Sequence, residues 1–291
     1  MKTALIVDSV GYLSDELNSL TNVYTIDLTV NFSDGTVIND TCAPAQLKSF
    51  YDRLSKENQL PTTSQPQVGK YYELLDQLVA EGYQTVFCIH LSAGISGTYQ
   101  TAVMVTSEYQ DKIQAYCIDS KGASVTMEGL VRAALKMIDQ GEDSSLIANK
   151  LNWLGNESRI YLMVEDLTNL VKGGRLSATS ALLGGVLQIR PLLYFDQDGK
   201  IVLFEKIRTN KRVFKRWSEL VQEALEKYPK GISIAFAHAD VYDEIKKVEM
   251  QIVAEHPEIT SSVSALGPVV GTHTGRGTKG IAIIPHIDNY L

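Results

Sequence analysis

Short apolar runs alternate with longer amphipathic stretches along the whole of this chain, and that alternation points to an α/β fold. Runs at 3–8, 85–90, 113–118, 160–164, 232–237, 262–266 and 281–284 have the length and apolar content of strands. Residues 23–32 read as a strand that Ser33-Asp34-Gly35 turns into Val37-Ile38. A second hairpin joins 189–195 to 201–204 through Asp196-Gln197-Asp198-Gly199. Between these lie predicted helices. One follows Ser14 as N-cap, one runs from Pro44 to about Leu54, and others cover 68–80, 124–139, 144–154, 210–227 and 242–255. A further helix starts near Thr98. The 210–227 helix carries Val213, Trp217, Leu220, Val221, Ala224 and Leu225 on one stripe. Residues 60–66 read as a loop bracketed by two prolines. The candidate boundary Gly155-Asn156-Glu157-Ser158 divides the chain into two α/β domains, 1–155 and 156–291. A ligand is then expected in the crevice between them.

Composition narrows the function classes. With 291 residues, 44% hydrophobic and 21% charged, the chain can bury sizeable cores. The most apolar stretch, 181–193, is interrupted by Gly184, Gly185, Gln188, Arg190 and Pro191. It falls short of the ~20 apolar residues that span a bilayer. The first ten residues lack the pattern of a signal peptide, so a cytoplasmic protein is expected. A net charge of −7 argues against general nucleic-acid binding, which needs clustered cations. Cys42, Cys88 and Cys117 are far apart and form no CxxC or CxxH pair. Cys88 and Cys117 lie in apolar strand-like runs and are expected to be buried inert thiols, with no metal site and no cofactor.

Four segments carry the chemistry. Two are rich in hydroxyls: Pro61-Thr62-Thr63-Ser64-Gln65-Pro66, and Leu91-Ser92-Ala93-Gly94-Ile95-Ser96-Gly97-Thr98 between a predicted strand and helix. In a parallel sheet the strand ends hold ligands, and a Gly-rich turn into a helix offers N–H groups to an anion. The third, Lys172-Gly173-Gly174-Arg175-Leu176-Ser177, presents a guanidinium beside two glycines. The fourth, Gly271-Thr272-His273-Thr274-Gly275, places a histidine among glycines. Each also reads as a cap or turn. Gly275-Arg276-Gly277-Thr278-Lys279-Gly280 spells GxGxxG but precedes a strand, so it is no dinucleotide fingerprint. Ser96 is an alternative hydrolase nucleophile, an esterase or thioesterase, although Gly97 falls one place early for the GxSxG elbow. A phosphorylated histidine at His90 or His273 is a third reading.

Taken in order, these segments resemble the DegV family, the fatty-acid-binding subunits of bacterial fatty acid kinase. The resemblance rests on Val7-Asp8-Ser9, Thr63-Ser64-Gln65-Pro66, Leu91-Ser92 through Ile95-Ser96-Gly97-Thr98, Gly173-Gly174-Arg175-Leu176-Ser177 and His273-Thr274-Gly275, which cover nearly the whole chain. The family usually has Gly-Pro-Gly after the histidine, whereas this chain has Gly275-Arg276-Gly277. The departure bears on loop shape and adds a cation near the site or on a partner-facing surface.

The resemblance implies a non-catalytic protein of phospholipid synthesis. Such a protein buries a long-chain fatty acid between two α/β domains and presents its carboxylate to an ATP-dependent, dihydroxyacetone-kinase-like partner, which makes the acyl phosphate. It implies that Thr63 and Ser96 bind the carboxylate, helped by Ser64 and the backbone of Gly94, Ile95 and Gly97, with Arg175 and His273 close by. At ~0.8 kcal/mol per buried CH₂, about 15 methylenes contribute roughly 12 kcal/mol before ordering costs. Membranes shelter the same tail, so transient membrane contact fits this role. Ala181, Leu182, Leu183, Val186, Leu187 and Ile189 are candidate tunnel walls. A basic cluster, Lys206, Arg208, Lys211, Arg212, Lys215 and Arg216, stands out in an acidic chain. By resemblance Arg208, Lys211 and Arg212 dock the kinase.

Overall fold

A computed structural model describes residues 2–177 and 190–290. Among these residues there are three sheets. Strands β1 (Thr3–Asp8), β2 (Val23–Ile26), β6 (Thr85–His90) and β7 (Gln114–Asp119) form a parallel sheet ordered β2-β1-β6-β7. Strands β8 (Arg159–Met163), β9 (Arg190–Phe195), β10 (Ile201–Ile207), β11 (Ile232–His238), β12 (Thr260–Ala265) and β13 (Lys279–Pro285) form a mixed sheet ordered β10-β9-β8-β13-β11-β12. In it only β11 and β12 pair in parallel. Strands β3 (Thr29–Asn31), β4 (Val37–Asn39) and β5 (Thr62–Ser64) make a small antiparallel sheet ordered β4-β3-β5.

Side-chain alternation along the strands sorts the cores. On β1, Ala4 and Ile6 face a cluster with Tyr71, Leu75 and Leu78 of helix α3 (Val68–Ala80). Leu5 and Val7 face the opposite cluster, shared with Leu162 of β8 and Ala282 of β13. On β13, Ile281 and Ile283 pack outward with Trp217 of helix α8 (Asn210–Lys227) and Ile245 of α9 (Tyr242–Glu255). One core therefore lies between the parallel and mixed sheets, and helix α5 (Val125–Asp139) contacts β6, β11 and β13 within it. Thr209 caps α8, and Val213, Trp217, Leu220 and Val221 are its buried stripe.

Several expectations need correction. The predicted strand 23–32 is two strands in different sheets, parted at Asp27-Leu28. The predicted loop 60–66 contains β5, whose pairing with β3 fixes Thr63 opposite Val30. Helix α6 (Ser144–Glu157) runs through Gly155, Asn156 and Glu157, so most of the candidate boundary is helical. Two short helices, α7 (Thr168–Lys172) and α10 (Pro268–Thr274), form where the sequence pattern predicts none. The candidate tunnel walls Ala181, Leu182, Leu183, Val186, Leu187 and Ile189 lie outside the described residues. Among the described residues, no helix is long and apolar enough to cross a membrane.

Candidate functional site

The loop 91–97 leaves β6 on a fixed base. Asp8 at the end of β1 accepts hydrogen bonds from Val10 N (3.1 Å) and Leu91 N (2.8 Å), and its Oδ2 lies 3.0 Å from His90 Nδ1. His90 Nε2 meets the Tyr71 hydroxyl at 2.6 Å. His90 is fully buried with both ring nitrogens engaged, a poor setting for a phosphoryl acceptor. Beyond it, Ser92 N donates to Gly122 O (2.7 Å), and Ser92 Oγ donates to Gly199 O (2.7 Å) in the β9–β10 turn. Ser96 N donates to Ser92 O at 3.2 Å. The loop then enters α4 (Thr98–Ser107) through Gly97. Ser96 Oγ lies 2.9 Å from Thr98 Oγ1 and accepts from Thr98 N at 3.3 Å.

The facing group is held by α10. Its N-cap is Gly267, which has no side chain, and Pro268 occupies its first turn. The cap comes from far along the chain: Val269 N donates to Asp40 Oδ1 at 2.9 Å. Ser9 Oγ (3.1 Å) and Tyr12 OH (3.2 Å) also donate to Asp40. Burial outweighs these bonds and raises the Asp40 pKa to about 7. At the other end of α10, His273 Nε2 lies 2.9 Å from Thr63 Oγ1. Burial first, and then the Arg175 guanidinium, lower the His273 pKa to about 4, so the imidazole is neutral at pH 7. Its Nδ1 is buried and has no partner among the described residues.

Arg175 follows α7, which ends at Gly173 and the left-handed Gly174 (φ +69°). Its Nε donates to Ile95 O at 3.2 Å and its Nη1 to Gly173 O at 2.6 Å. The guanidinium thus ties α7 to the 91–97 loop. A side chain on Gly173 would begin 2.4 Å from His273 Nδ1, which explains that glycine.

These groups share the wall of one cavity of about 390 Å³. Thr63, Ser64, Ile95, Ser96, Gly97, Arg175 and His273 line it. Gly94 does not. It seats the loop on the β9–β10 turn, where a Cβ would lie 2.5 Å from Gly199 O. Ser64 is exposed and its hydroxyl accepts from Asn31 Nδ2 at 2.8 Å. Most of the remaining wall is apolar, including Leu28, Leu91, Ile160, Leu162, Phe195 and Leu266. Sequence reading missed these walls, though the inward face of each strand's alternation pointed to some of them. It also missed Thr98 as the Ser96 partner, and Gln65, whose Nε2 donates to Thr101 Oγ1 at 2.9 Å.

Ser96 has no imidazole in hydrogen-bond contact among the described residues, and His273 is engaged with Thr63, so the nucleophile lacks its base. No His, Cys, Asp and Glu among the described residues gather as metal ligands. Arg276, the departure from Gly-Pro-Gly, turns to the surface. It pairs with Asp52 (3.0 Å) and with Asp240, clamping α2 (Pro44–Leu54) to the loop after β11. In the basic cluster, Arg216 bonds Glu205, Glu219 and Glu223, and Lys215 lies 3.4 Å from Glu219. Lys206, Arg208, Lys211 and Arg212 are exposed, with no acidic partner among the described residues.

Fold and cavity together define an α/β protein with an internal, largely apolar site walled by hydroxyls, one guanidinium and a neutral imidazole. The family model described as "Uncharacterised protein, DegV family" matches residues 2–286, and the chain belongs to the DegV family. Protein DegV of Bacillus subtilis is 36% identical over 284 residues, covering 97% of this chain and 98% of that protein. A DegV domain-containing protein of Halalkalibacterium halodurans is 34% identical, covering 97% and 98%. Among solved structures, a fatty acid binding DegV family protein from Streptococcus agalactiae superposes with a TM-score of 0.90 at 34% identity, covering 98% of this chain and 99% of that one. The structure of B. subtilis DegV, a fatty acid binding protein, gives 0.87 at 34% identity, covering 98% and 100%.

Proposed function

We propose that this chain binds one long-chain fatty acid, sheltering its hydrocarbon in the cavity and holding its carboxylate with Thr63, Ser96 and the backbone N–H of Gly97, since those of Gly94, Ile95, Ser96 and Thr98 already donate within the loop. The observation that carries this reading is the gathering of Thr63, Ser96, Arg175 and His273 in the wall of one mostly apolar cavity. Its volume of about 390 Å³ falls within the roughly 300–1,000 Å³ of small-molecule sites. A carboxylate taken out of water needs donors or it becomes the neutral acid. Two hydroxyls, a helix N-terminus and a guanidinium supply them here. The S. agalactiae and B. subtilis relatives, described as fatty acid binding, support the ligand class.

On this reading the half that holds the parallel sheet and the half that holds the mixed sheet act as lobes with the acid at their seam. The protein carries out no chemistry itself and presents the carboxylate to an ATP-dependent kinase that forms the acyl phosphate. The missing base at Ser96 favours the carrier over the hydrolase. Mass spectrometry of a solvent extract from the purified protein tests the reading. A stoichiometric free fatty acid is expected. A protein that carries none and fails to bind added fatty acid sinks the proposal.

A further inference from the structure

Glycine inside a strand forgoes side-chain packing and loses extra chain entropy on folding, so it asks for a local reason. Gly280 lies in β13, in register with Leu162 of β8 on one side and Ala237 of β11 on the other. All three line the cavity. The two usual reasons for a glycine are absent. Gly280 is not among the glycines with positive φ. Nor is its side-chain position occupied: a Cβ there would lie 3.4 Å from Tyr161 O and 3.8 Å from Leu162 Cβ, contacts that need little or no adjustment. The glycine therefore leaves room beside Leu162 that a methyl group would fill. The same strands are large on the opposite face, with Ile283 on β13 and Ile234 and Phe236 on β11.

We propose that Gly280, with Ala237 beside it, sets the length of acyl chain that the cavity accepts. The inference rests on the fatty-acid reading above and adds the residue that meters the chain. Protein interiors are close-packed, so each carbon added to the wall displaces about one from the ligand.

The test uses Gly280→Ala, Gly280→Val and Ala237→Val in the full chain, stripped of ligand and titrated with a homologous series of saturated fatty acids. The preferred chain is expected to shorten stepwise from Gly280→Ala to Gly280→Val. Affinity for the wild-type's preferred acid should fall roughly tenfold or more in Gly280→Val, while shorter acids bind as before or more tightly. If Gly280→Val fails to fold, Gly280→Ala and Ala237→Val decide, since thermal melting should show the former folding normally. An unchanged length preference overturns the proposal. So does an equal loss at every length, which marks a structural role. A wild type that binds no fatty acid overturns the ligand reading itself, a result distinct from binding that ignores position 280.

Discussion

His273 and Thr63 share one hydrogen bond, and its direction decides what the site offers a ligand. The imidazole is neutral at pH 7, with a pKa lowered to about 4. Its Nδ1 is buried without a partner among the described residues. A buried, unmet N–H is rarer than an unmet acceptor, so the proton belongs on Nε2, which donates to Thr63 Oγ1 at 2.9 Å. That tautomer leaves the Thr63 O–H free to donate to a carboxylate. Thr63→Val keeps the shape and removes the relay. A hydrogen bond to a charged group contributes about 1.5–3 kcal/mol, so fatty-acid affinity should drop roughly 10- to 100-fold, while Thr63→Ser retains most of it. Isothermal titration of the two variants checks this, and wild-type affinity in Thr63→Val rules the relay out.

Helix α10 brings a second titrating group into play. Asp40 caps it at one end and His273 sits at the other. Their pKa values move in opposite directions. Asp40 rises from 3.8 to about 7, so the stability it contributes is complete below 3.8 and is lost as pH rises through 7. His273 falls from 6.5 to about 4, so its contribution is complete above 6.5 and is lost as pH falls through 4. Between about 4 and 6.5 the native state holds its extra proton on Asp40 and the unfolded state holds its own on His273. The two slopes therefore cancel. Asp40→Asn removes one of them. Relative to wild type, its stability should climb with pH across this window by ~1.4 kcal/mol per unit. Urea unfolding at stepped pH measures the difference, and parallel curves would refute the pairing. This helix also marks the limit of what the sequence makes legible. Long periodic segments such as α3, α8 and α9 are evident because their burial stripe is local. α10 is not, because its cap is an aspartate side chain more than two hundred residues away and Gly267-Pro268 alone signals a turn. The hydroxyls of Thr63 and Ser96 are readable from their motifs. Their partners depend on which strands become neighbours, and local pattern does not encode that.

Charge distribution argues at the level of the whole molecule. The chain carries −7 overall, yet Lys206, Arg208, Lys211 and Arg212 stand exposed where β10 ends and α8 begins. The first turn of α8 contains Lys211 and Arg212 and no acidic residue, so two cations face the positive end of the helix dipole. That arrangement costs stability, typically 0.3–1 kcal/mol per charge at an exposed site. On the carrier reading proposed above, an acidic partner surface steering onto the patch offsets that cost. Arg212→Glu should therefore raise the melting temperature and, if the proposed docking holds, slow fatty-acid phosphorylation by an ATP-dependent kinase. Arg208→Ala, which lies before the helix, should slow phosphorylation without changing fatty-acid affinity. The wild-type rate should fall with added salt more steeply than that of either variant. Phosphorylation at the wild-type rate in Arg208→Ala removes Arg208 from the docking surface, and loss of fatty-acid binding in that variant moves it to the ligand site instead.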